Sequence, residues 1–76
     1  MKPELYYVIA DSACARVRKW IDAQGLLEQV RYRNIVYPEV LADLAAHGGS
    51  ETSFPALWDG QRLHVGEEAV IGALKR

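Results

Sequence analysis

One cysteine in 76 residues excludes an internal disulfide and any four-cysteine metal cluster. Neither charge sign dominates. Nine Lys and Arg stand against ten Asp and Glu, a net charge of −1, which argues against a protein that coats a polyanion. Long apolar runs are missing too: the stretch Leu5 to Ala10 is too short for a secretory core and far too short for a bilayer span. There is no serine-centred elbow, no Gly-rich phosphate loop and no metalloprotease box, and His47 and His64 are not at metal-ligand spacing with Cys14 or each other. No linker, internal repeat or low-complexity tract divides the chain, so residues 1–76 form a single domain. With no export signal and no second cysteine, the expected compartment is the reducing cytoplasm, with no membrane partner.

What is present is an ordinary globular mix, half hydrophobic and a quarter charged. A chain this short buries only about 60% of its unfolded surface, which demands a compact core and short loops. Leu5 to Ala10 is continuously apolar with β-branched and aromatic members, the pattern of a strand buried on both faces. Asp11-Ser12 is a helix-start signal, followed by Ala13, Val17, Trp20 and Ile21 at helical spacing, and Gly25 is placed to end that helix. Residues 28–35 alternate, Val30 and Tyr32 pointing one way and Arg31 and Arg33 the other, which predicts a second strand.

Pro38 suits a first helical turn, with Val40, Leu41, Leu44 and Ala45 as the apolar stripe and Gly48-Gly49-Ser50 as the stop. Ala56-Leu57-Trp58 and Arg62-Leu63-His64-Val65 read as a hairpin around Asp59-Gly60, or around a longer loop from Asp59 to Gln61. A last helix opens at Gly66-Glu67-Glu68, its acids at the positive end and Lys75 and Arg76 at the negative end. Trp20, Trp58, Tyr6, Tyr7, Tyr32 and Tyr37 are expected in the core or on half-buried strands. Because Arg31 and Arg33 lie on the face opposite Tyr32, no nucleic-acid platform is expected. The predicted fold is α/β, ordered β-α-β-α-β-β-α, with a four-stranded mixed sheet flanked by three helices.

This order, with a helix starting just after strand one and an X-Pro before strand three, resembles the thioredoxin superfamily. More narrowly it is similar to glutaredoxins and the N-terminal domain of glutathione S-transferases. Three patches carry the likeness. Residues 11–18 (Asp-Ser-Ala-Cys-Ala-Arg-Val-Arg) resemble Cys-x-x-Cys-x-x-Val-Arg/Lys; residues 53–60 resemble Thr-Val-Pro-x-Leu-x-Asp-Gly; residues 65–71 resemble Gly-Gly-x-Asp-Asp or Glu-Ser-x-x-Ile. The departures are informative. Asp11 stands at the nucleophilic cysteine and Cys14 at the resolving one, and Glu68 stands where transferases have serine. With no all-helical domain in these residues, full transferase activity is not expected.

The resemblance implies a glutaredoxin-like domain with a glutathione or thiol-peptide groove. Ser53, Phe54 and Pro55 would form one wall, with Pro55 in the cis form so that the Phe54 backbone pairs with a cysteinyl ligand. Glu67, Glu68 and Arg16 would take the charged end of that ligand. Any redox step would fall to Cys14. A first-turn position favours its thiolate by roughly 0.3–1 kcal/mol, but the Asp11 charge opposes it. Each residue also has a plainer reading: Cys14 as a small core side chain, Asp11 as a helix cap, Pro55 as a strand-entry proline, Glu67 and Glu68 as dipole-favourable acids, and Arg16 as part of a solvated helix face. The implied partners are glutathione or a cysteine-containing peptide, with no tightly bound cofactor, no metal, no nucleic acid and a monomeric state. The alternative is a non-enzymatic interaction module on the same fold.

Overall fold

The computed structural model describes residues 2–75. Four strands form one mixed sheet: β1 (Glu4–Tyr7), β2 (Arg31–Asn34), β3 (Ala56–Trp58) and β4 (Leu63–Val65). Three helices flank it: α1 (Ser12–Ala23), α2 (Pro38–Ala46) and α3 (Glu67–Leu74). The strand order is β2-β1-β3-β4, with β1 and β2 parallel and the other pairs antiparallel. The element order predicted from the sequence is the observed one, with a short 3₁₀ turn (Leu27–Gln29) added before β2. Among the described residues, no helix is long and apolar enough to cross a membrane.

Strand alternation divides the core in two. Leu5, Leu57, Val17, Ile21, Val30 and Val70 pack together on the face covered by α1 and α3. Tyr6, Ala56, Ile35, Val40 and Leu44 pack on the face covered by α2. Burying each large aliphatic side chain contributes about 1.5–3 kcal/mol, which is the main force holding the helices to the sheet. Polar ties are few. The Tyr6 hydroxyl donates to Glu4 Oε1 at 2.7 Å, and Arg33 bridges Glu4 (3.2 Å) and Asp43 (2.6 Å), fastening α2 to β2.

Several boundaries differ from the expectation. β1 stops at Tyr7, so Val8, Ile9 and Ala10 form a turn and Ile9 is exposed. The chain turns there, the Asp11 N–H donating back to the Val8 carbonyl at 3.3 Å, and this sets the Asp11 carboxylate to cap α1 on the Cys14 N–H. β2 begins only at Arg31, because residues 27–29 coil into the 3₁₀ turn. Tyr37 is not a core or strand residue; it precedes α2 and is exposed. Between β3 and β4 the chain takes the longer loop. Asp59 Oδ1 accepts from both the Gln61 and Arg62 N–H groups (2.8 and 2.7 Å), widening the turn beyond two residues. The expected charge of Arg76 at the end of α3 lies outside the described residues.

Candidate functional site

The register gathers the variable parts of the chain at one end of the sheet. β1 and β2 finish there together, with Tyr7 opposite Asn34. β3 begins there, with Ala56 opposite both Tyr6 and the last residue of β4, Val65. Each helix starts just beyond the end of the strand before it, so all three helical N-termini with their unpaired N–H groups converge at this end. In open α/β sheets this is where ligands bind.

Asp11 caps α1. Its backbone is extended (φ −85°, ψ 130°) and its Oδ2 accepts the Cys14 N–H at 2.8 Å. That bond, with a smaller contribution from the neighbouring Arg16 charge, holds the carboxyl below the usual aspartate range. Cys14 lies one turn in and is fully buried, its Sγ accepting the Val8 N–H at 3.5 Å. Burial pushes the thiol up to about 11; the Val8 N–H and Arg18 pull the other way, and Asp11 adds to the rise. At neutral pH the group is a protonated thiol packed behind the β1–α1 turn. Sequence reasoning balanced the helix dipole against Asp11 and could not weigh desolvation, which is the largest effect.

Phe54–Pro55 is a cis peptide bond. The approach to it is a hydroxyl-rich turn in which the Ser50 N–H donates to Ser53 Oγ and the Ser53 N–H to the Ser50 carbonyl, both at 3.0 Å. The Phe54 N–H donates to the Thr52 carbonyl at 3.1 Å, so a ligand strand would have to displace that bond to use it. The Pro55 carbonyl accepts the Gly66 N–H at 2.9 Å. This ties the start of β3 to the cap of α3, where φ of +101° demands glycine.

Glu67 and Arg16 meet across the two helices. Arg16 Nε lies 2.9 Å from Glu67 Oε2 and Arg16 Nη2 2.9 Å from Oε1, a two-pronged pair that holds the Glu67 carboxyl below its usual range. Sequence reasoning named both residues but could not pair them. Glu68 is exposed, and with Glu67 it borders a shallow depression of about 430 Å³ along α3 that does not reach Phe54. The structure therefore brings Ser53, Phe54, Pro55, Glu67 and Arg16 to the end of the sheet where α1 begins and hides Cys14 beneath it, with Glu68 exposed beside Glu67 in the first turn of α3.

Sequence reasoning missed a second set of residues at this end. Ile9, Val36, Tyr37 and Val65 are exposed by 63, 71, 55 and 50%. A signal for three of them was available: Asp11 marks the start of one helix and Pro38 that of another, so Ile9, Val36 and Tyr37 fall in the short links before them. No family model, curated protein or solved structure matches this chain.

Proposed function

We propose that this chain is a glutaredoxin-type, thioredoxin-like domain that binds glutathione or an extended cysteine-containing peptide, with thiol–disulfide exchange lost or vestigial. One observation carries the reading. The Pro55 carbonyl is bonded to the cap of α3, and Glu67 at the head of α3 is bonded to Arg16 of α1, so the three segments that the resemblance assigns to such a groove lie side by side. The absence of exchange chemistry follows from Asp11, which cannot form a mixed disulfide, and from the burial of Cys14. A thiol needs its thiolate to act as a nucleophile. A monomer in the reducing cytoplasm fits a lone buried thiol.

Titration with reduced glutathione, followed by backbone amide shifts, tests the groove. Saturable shifts at Phe54, Gly66 and Glu67 are expected, and none at millimolar ligand would remove the glutathione reading. A thiol-transfer assay should give the same near-background rate for the wild type and Cys14→Ser. Asp11→Cys should gain activity if only the nucleophile has gone. The second reading, an interaction module without a small-molecule ligand, is favoured by the exposed Ile9, Val36, Tyr37 and Val65 around the same sheet end.

A further inference from the structure

Arg16 and Arg18 lie two residues apart on α1, and the helix turns them to opposite flanks. Arg16 meets Glu67 of α3. Arg18 faces the β1–β2 side instead: its guanidinium carbon lies 5.2 Å from the centre of the Tyr7 ring, and the Tyr7 and Tyr32 rings meet edge to face at 5.8 Å. Tyr7 and Tyr32 share this sheet face with Leu5, because Tyr32 is the register partner of Leu5 and Tyr7 lies two residues along β1.

The cluster holds donors without acceptors. Arg31 is paired with Glu4, and Arg33 with Glu4 and Asp43, but among the described residues Arg18 makes no ion pair. Arg62 is also unpaired, but it is exposed in the loop after β3 and has no such surroundings. Arg18 Nε and the Tyr32 hydroxyl are both enclosed, and neither has a hydrogen-bond partner among the described residues. Arginine nitrogens can only donate, and an enclosed donor left unmet is costly. The positive charge of Arg18 also reaches the Tyr32 hydroxyl, pulling down a group that burial pushes up. A guanidinium beside a phenol is completed by an acceptor that carries negative charge.

The remaining charges narrow the class of that acceptor. Asp22, one turn along α1 from Arg18, acts on Tyr32 but is not bonded to Arg18, so it is an internal competitor for the same cation. Asp11 is engaged with the Cys14 N–H. Arg31 and Arg33 reach Glu4 rather than this cluster. One cation with one acid close by suits a singly charged anion better than a doubly charged phosphate. A carboxylate also has the right shape, since its two oxygens match two N–H groups along one side of a guanidinium.

We propose that Arg18, Tyr32 and Tyr7 form a binding site for a single carboxylate, on the flank of α1 opposite the Arg16–Glu67 pair. Arg18 takes both oxygens side on, the Tyr32 hydroxyl donates to one of them, and the Tyr7 ring backs the guanidinium. Entry is from the edge of the sheet, where no strand lies beyond β2, and requires the part-exposed Arg18 side chain to turn outward. None of these residues belongs to the thiol-ligand groove, so the two proposals stand or fall separately.

The test titrates sodium acetate, sodium phosphate and sodium chloride into the protein at neutral pH and matched ionic strength. The signals followed are the Arg18 Nε–H and the Tyr7 and Tyr32 amides. Acetate should give saturable shifts with a midpoint on the order of 10 mM, phosphate should need at least about threefold more, and chloride should not saturate. Glutamate blocked at both backbone ends, which mimics a protein side chain, tells the source. A midpoint below that of acetate assigns the site to a protein carboxylate and one at or above it to a free small acid; either supports the proposal. Arg18→Lys keeps the charge but loses the fork, Tyr32→Phe loses the hydroxyl, and each should weaken acetate at least about fivefold. Asp22→Asn should tighten it by removing the competitor. Unchanged acetate binding in Arg18→Lys, an equal response to the three salts, or shifts confined to Phe54, Gly66 and Glu67 would each overturn the proposal.

Discussion

Arg16 grips both carboxylate oxygens of Glu67, a residue 51 positions away, and this pair is the direct polar link between the second turn of α1 and the first turn of α3. Both side chains reach solvent, with 58 and 31% exposure, so the link orients the helix ends more than it stabilises the fold.

Replacing Glu67 by Gln should therefore shift the urea midpoint only slightly, and the difference should vanish in about 1 M salt, where screening acts within about 3 Å. Its pH dependence has a definite sign. The carboxyl is held below its usual range in the folded state, so the contribution is present above the ordinary glutamate range and is lost as acid protonates Glu67. Midpoints measured from neutral pH into acid, for wild type and Glu67→Gln, should converge at the acid end.

The thiol of Cys14 titrates the other way. Burial raises it from about 9 to about 11, so the folded state prefers the neutral form. Its contribution is complete below about pH 9 and is lost as pH rises towards 11. Cys14→Ala should flatten that part of the stability curve. Alkylation of the wild type at neutral pH should run well below that of a free thiol, because burial keeps the sulfur protonated and covered.

Tyr6 is fully buried and its hydroxyl donates to Glu4 at 2.7 Å. Tyr6→Phe keeps the ring and removes that bond, which should cost about 1 kcal/mol in chemical denaturation. Glu4 remains paired with Arg33 in the variant, so a much larger loss would point to disruption of the whole Glu4–Arg33–Asp43 chain.

Gly49 sits where a Cβ would lie 2.6 Å from Leu44 Cδ1, and Leu44 is fully buried. Gly49→Ala should destabilise by about 1–3 kcal/mol through overpacking. Leu44→Ala should cost about 2–5 kcal/mol by leaving a cavity. The double variant should lose less than the two singles combined, because the alanine methyl at position 49 enters space that Leu44 vacates. Additive losses would show that the clash is relieved elsewhere.

Much of the architecture was legible from residues 1–76 alone because it is locally encoded. Asp11 beside an apolar helical stripe, Pro38 at a first turn, Gly25 at φ +71° after α1 and Gly66 at φ +101° before α3 each act on their own few neighbours, and each stands where the pattern placed it. The strand ends were misjudged where a turn outweighed the local pattern, an apolar run at Ile9 and the start of the alternating stretch 28–35 at Glu28 and Gln29.

The candidate site divides the same way. Its residue types and their order are properties of the chain. The depth of Cys14, the pairing of Arg16 with Glu67 and the gathering of Ile9, Val36, Tyr37 and Val65 at one end were decided by folding. Desolvation and long-range Coulomb attraction depend on distances between segments that are remote in sequence, and only the packed sheet and helices set those distances.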